Sequence, residues 1–155
     1  MDRLRAWLAL REVQAPIAVG LDAVTHACDA DGRWRGLAVV VHEHGGWTVF
    51  EDLAGLLGQK GHASVEKWLP LAGTDDFVYA EYNDAIPFGG YAEIRGGAVV
   101  CDVFDDPADK RFRRSSGRPQ GATKPITTWI EIASLVDEDV DWVDSPGLLW
   151  IFEAQ

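Results

Sequence analysis

DDFVYAEYNDAIPFGGYAEIRGGAVVCDVFDD, residues 75–106, decides the fold. Phe77, Tyr79 and Glu81 alternate with Val78, Ala80 and Tyr82 until Asn83-Asp84 breaks the run. Tyr91, Glu93 and Arg95 then alternate with Ala92 and Ile94, and Gly96-Gly97 leads straight into AVVCDVF. Successive strand side chains point to opposite faces, so this period of two predicts strands with one apolar face inward and one mixed face outward. Three such runs joined by tight turns predict an antiparallel meander.

Upstream, Val39, Val40 and Val41, then Trp47, Val49 and Phe50, flank HEHGG, a hairpin pattern. Ile17, Leu21, Val24 and Cys28 recur at helical spacing after Pro16, predicting a helix within residues 16–30. Ser64 is placed to cap a short helix that ends before Gly73. Downstream, residues 107–125 are polar, rich in glycine, proline and serine, and carry Lys110, Arg111, Arg113, Arg114 and Arg118; they read as an exposed basic loop. Trp129, Ile132, Ala133 and Val136 predict an amphipathic helix, and GLLWIF a last strand. The expected architecture is one α+β domain over residues 1–155, an antiparallel sheet of five or six strands with helices on one side.

The composition, 47% hydrophobic and 25% charged, is that of a folded soluble domain. Acids outnumber bases 25 to 14, for a net charge of −11, which repels nucleic acid and anionic lipid and attracts cationic partners. No 18-residue apolar run occurs and the N-terminal one is broken at Arg11 and Glu12, so neither a signal peptide nor a membrane span is expected, and the cytoplasm follows. Cys28 and Cys101 form no C-x-x-C pair; free buried thiols are expected, with one long-range disulfide as the alternative.

Catalytic patterns are sparse. His42 and His44 flank Glu43, so on a strand both imidazoles share a face, but no third metal ligand is spaced with them. No serine sits in a G-x-S-x-G elbow, and no lysine or hydroxyl residue follows the glycine pairs as a phosphate loop requires. Glu81 and Glu93 lie on adjacent predicted strands. Facing one another they would serve acid–base chemistry, and on a solvated face Arg95 would compensate them. No catalytic set, metal or cofactor is assigned on this reading.

Charge is unevenly laid out. From Pro125 onward there is no lysine or arginine, while DEDVDWVD packs Asp137, Glu138, Asp139, Asp141 and Asp144 around Trp142. Carboxylates this close repel one another unless solvated or met by a cation, and those following a helix oppose its dipole. Tryptophan beside such charge is a mix common at binding hot spots.

Residues 75–106, followed by ITTWIEIASLVDED, resemble the small acidic immunity proteins encoded beside bacterial polymorphic and contact-delivered toxins. The likeness runs over Trp68 to Val103 and Ile126 to Ile151 and is one of arrangement. It implies a cytoplasmic, non-enzymatic protein that occludes the active site of its cognate toxin. Such families share no catalytic residues to transfer. The expected partner-binding residues are Asp137, Glu138, Asp139, Asp141, Trp142 and Asp144, with Glu81, Asp84 and Glu93; a basic nuclease is one toxin that would suit them. The alternative is a small hydrolase or metal-binding enzyme using Glu81 and Glu93 with His42 and His44.

Overall fold

The computed structural model describes residues 1–61, 64–137 and 146–153, apart from the side chains at 59–61, 112 and 137. In chain order the elements are α1 (Asp2–Leu8), β1 (Ile17–Val19), α2 (Ala23–Ala27), β2 (Leu37–His44), β3 (Trp47–Asp52) and α3 (Leu56–Gly61). A 3-10 turn (Val65–Trp68) runs into α4 (Leu69–Ala72), followed by β4 (Phe77–Asn83), β5 (Phe88–Arg95), β6 (Ala98–Asp105) and a 3-10 turn at Lys110–Phe112. The series closes with β7 (Arg114–Gly117), α5 (Trp129–Asp137) and β8 (Gly147–Phe152).

The α+β class is as the sequence predicts, but the strands form two four-stranded antiparallel sheets rather than one of five or six. The chain divides accordingly into two compact units, Met1–Gln59 with Asp141–Gln155, and Lys60–Val140. In the first, the order is β1-β8-β2-β3, so the last strand lies between β1 and β2. From Leu149 to Phe152 its side chains are buried on both faces because the strand is central. Leu149 and Ile151 join Val19, Ala38 and Val40 in a core closed by Ala23 and Ala27 of α2. Full burial of a side chain such as Leu149 or Ile151 contributes about 1.5–3 kcal/mol. The predicted helix over 16–30 is shorter than expected. Ile17 to Val19 pair with β8 instead, and α2 buries its alanines while Leu21 and Val24 stay exposed.

The second sheet runs β4-β5-β6-β7 and contains the predicted meander. Gly45-Gly46 and Gly96-Gly97 each take two positive φ angles, the type I′ geometry whose twist matches a two-residue hairpin. Tyr91, Cys101 and Val103 form a core with Ile126, Ile132, Leu135 and Val136, the last three from α5. Gly89 lets α5 approach, since a Cβ there would meet the Trp129 backbone at 3.0 Å. The other face is covered by Trp68, whose ring stacks on Tyr79 at 4.4 Å and tilts against Phe77 at 5.6 Å. Helical elements thus cover both faces of this sheet, not one side. Ser64 does cap the turn, its hydroxyl accepting from the Glu66 N–H at 3.3 Å.

The segment 107–125 is more ordered than a loop: Arg114–Gly117 pairs with β6 as an edge strand. Gly117 closes that strand at φ 70°, and a Cβ there would overlap the Val100 carbonyl. Gly117→Ala is expected to cost about 1–3 kcal/mol from the left-handed backbone alone, with the overlap added. Urea unfolding of the variant checks this; an unchanged midpoint would refute the strained position.

Candidate partner-binding site

Strand β5 is buried from Gly89 to Ile94, so the mixed face carrying Glu93 does not meet solvent. Glu93 is 1% exposed and is held by three donors. Its Oε1 accepts from Arg95 Nε at 2.7 Å; its Oε2 accepts from the Tyr91 hydroxyl at 3.1 Å and the Gln120 backbone N–H at 2.9 Å. Arg95 Nη1 donates onward to Asp76 at 2.8 Å. The Arg95 counter-charge foreseen in the sequence is present, but the pair is part-buried rather than solvated. A carboxylate so engaged ties the 118–125 segment to the sheet.

This buried charge raises its neighbours. Burial first, then Glu93, pushes the Tyr91 phenol above its usual range. Burial, then Glu93 and Asp102, pushes the Cys101 thiol up to about 11. Both cysteines are free. At pH 8 on the order of one Cys101 thiol in a thousand is ionised, and only thiolate is nucleophilic. Iodoacetamide should therefore label half-buried Cys28 in the native protein and reach Cys101 only in denaturant. Native labelling of Cys101 at the same rate would contradict this. Because the folded value lies above the ordinary 9.0, the unfolded chain releases this proton first, so the thiol's contribution to stability falls as pH rises from about 9 to about 11.

Glu81 does not face Glu93. It lies across from Gly90, whereas Glu93 lies across from Val78, placing the two carboxylates on opposite faces of the sheet. A Cβ at Gly90 would sit 3.0 Å from Glu81 Oε1, so the missing side chain makes room for the carboxylate. Glu81 borders a hollow lined by Trp68, Tyr79, Phe104 and Arg114, with about 10 Å³ of free space. That is the room of a single water. Arg114 Nε is held by both oxygens of Asp102, at 2.9 and 2.8 Å, and its guanidinium lies 5.2 Å from the centre of the Phe104 ring. A wider, shallow cleft of about 700 Å³ is lined by Arg95, Val100, Arg118 and residues 119–123, with no carboxylate, histidine or thiol in its wall.

Asp84 is exposed in the turn between β4 and β5, where Asn83 Oδ1 accepts from the N–H groups of Ala85 and Ile86 at 2.9 and 3.0 Å. His42 and His44 share a face of β2 in the first unit, His42 buried and His44 half-buried, across from Val49 and Trp47. Glu81 and Glu93 belong to the second unit. Among the described residues no group of three or more His, Cys, Asp or Glu is gathered to hold a metal. Asp137 ends α5, while Glu138, Asp139, Asp141, Trp142 and Asp144 lie outside the described residues.

The basic segment is largely neutralised from within. Arg111 pairs with Asp109, Arg113 Nε with Asp105 at 2.6 Å, and Arg114 with Asp102. Elsewhere Arg5 pairs with Asp2 and Glu12, and Arg11 with Glu153. Glu131 is also engaged: it accepts from the Thr127 and Thr128 N–H groups at 2.8 and 3.0 Å, while Thr128 Oγ1 accepts from the Glu131 N–H at 3.4 Å. This is a capping box, a T-x-x-E motif readable in the sequence. Those backbone donors hold the Glu131 carboxyl below its ordinary value. No protein-family model, curated protein or solved structure matches the chain.

Proposed function

We propose that this protein is a cytoplasmic immunity protein that binds a cognate bacterial toxin and occludes its active site through an acidic surface. The observation that carries the reading is electrostatic. The chain has a net charge of −11, and three of the four arginines of its most basic segment, Arg111, Arg113 and Arg114, are paired with acids of the same chain. What such a molecule offers a partner at long range is negative charge. Opposite charge accelerates protein encounter by about 10–1000-fold, which suits an inhibitor that must act before its target does. Basic nucleases fit such a surface, because carboxylates take the positions of substrate phosphates.

The disposition of the conspicuous acids also favours binding over chemistry. Glu93 is bound by three donors, Glu81 borders a hollow of one water, and the two point to opposite faces. The described helices include none long and apolar enough to cross a membrane. Co-expression with the product of the neighbouring gene tests the proposal. Growth rescue, with a one-to-one complex on light scattering, is the expected result. A toxic neighbour that this protein neither binds nor relieves would overturn it, as would a hydrolase activity lost with His42→Ala.

A further inference from the structure

We propose that the cleft beside Arg118 is a binding site for a singly charged carboxylate carried on an apolar body. It stands apart from the inhibitory reading and holds whether or not a toxin is the partner. The cleft lies within the second unit, lined by Arg95 of β5, Val100 of β6 and residues 118–123. Its charge is opposite to that of the molecule. Residues 110–130 contain no aspartate or glutamate, in a chain of net charge −11. Arg111, Arg113 and Arg114 of this stretch are each paired with an aspartate. Arg118 is exposed and has no ion pair among the described residues. Arg95, the other cation of the wall, is already held by Glu93 at 2.7 Å and Asp76 at 2.8 Å. An unclaimed guanidinium presents a planar fork of N–H donors that a carboxylate meets with two parallel hydrogen bonds.

Two backbone features shape the rest of the site. Glu93 lies across from Cys101 but Ile94 from Val99, which leaves Val100 as the extra residue of a β-bulge. A bulge re-aims the side chain it carries, and Val100 is 37% exposed in the cleft wall. Arg118 in turn is held between two fixed points. Before it, Gly117 pairs with Cys101 and packs on the Val100 carbonyl too closely for a Cβ. After it, buried Pro119 opens a β-turn closed by the Ala122 N–H, which donates to the Pro119 carbonyl at 3.1 Å. Gly121 takes φ 80°, as the third residue of a type II turn must. Glu93 clamps that turn through the Gln120 N–H. The backbone on both sides of the arginine is thus set before a ligand arrives, which lowers the ordering cost of binding. Volume and charge then select the ligand. About 700 Å³ is within the range of small-molecule sites. One unpaired cation balances a carboxylate but leaves a phosphate monoester, at about −1.5 to −2, partly uncompensated. Val100 supplies the surface for the apolar body.

Titration of the isotope-labelled full chain with hexanoate, followed by NMR at neutral pH and low salt, tests the site. Saturable shifts are expected at the Arg118 Nε–H and at the amides of residues 120–123. Hexanol, the same body without the charge, should bind more weakly by about fivefold, the upper range for an exposed ion pair. Arg118→Gln, checked for folding by circular dichroism, should weaken hexanoate by about the same factor. Val100→Thr, which keeps the branched shape, should weaken it as well. Hexyl phosphate should bind no more tightly than hexanoate. A blocked Leu-Glu-Leu tripeptide separates the sources of the carboxylate. Tighter binding than hexanoate assigns the site to an acidic side chain of a protein, weaker binding to a free organic acid, and either source satisfies it. No saturation, equal affinity for hexanol, wild-type affinity in Arg118→Gln, or a clear preference for hexyl phosphate would overturn the proposal.

Discussion

On the proposed function, reversing Asp137, Glu138, Asp139 and Asp141 to lysine should slow association with the toxin by about 10–1000-fold at low salt. The four stand in a stretch without a lysine or arginine from Pro125 onward, so nothing nearby in sequence offsets them. Each reversal removes a negative charge and adds a positive one, turning a steering field into a barrier. The effect should lie mainly in the association rate and shrink as salt rises, since the screening length is about 8 Å at physiological ionic strength. Stopped-flow association at two salt concentrations checks it. Rates unchanged by the reversals would remove this run from the encounter surface.

The second large effect is on stability. Glu93→Ala should cost about 1–3 kcal/mol for each buried donor left without its acceptor, while part-exposed Arg95 keeps Asp76. Here the loss falls on Arg95, the Tyr91 hydroxyl and the Gln120 N–H together. Glu93→Gln keeps acceptors for Tyr91 and Gln120 but not the charge opposite Arg95, so it should fall between wild type and alanine. Urea unfolding gives the order. A Glu93→Ala protein of wild-type stability would mean that the carboxylate is not a structural tie, and would return it to consideration as an acid or base.

The two hairpins were legible because Gly-Gly between alternating runs leaves few other geometries, and both pairs turn as that chemistry requires. The division into two sheets was not. It rests on β8 pairing with β1 and β2, and no local pattern encodes which distant strands become neighbours. β7 escaped notice because RSSG has no apolar alternation; an edge strand needs little, and Arg114 is held there by Asp102. Alternation correctly separated Glu93 from Ala92 and Ile94, yet it is silent on whether a mixed face meets water. The covering came from Gln120 and α5, far along the chain. The Thr128-x-x-Glu131 capping signature is local and so legible in the sequence, and it ties Glu131 to the first turn of α5.

The central claim is that the acidic exterior exists to meet a cationic protein. Calorimetric titration with a catalytically inactivated product of the neighbouring toxin gene, at low and at physiological salt, addresses it most directly. The account predicts one partner per chain, with affinity falling as salt is raised. Absence of binding, or binding indifferent to salt, would contradict it.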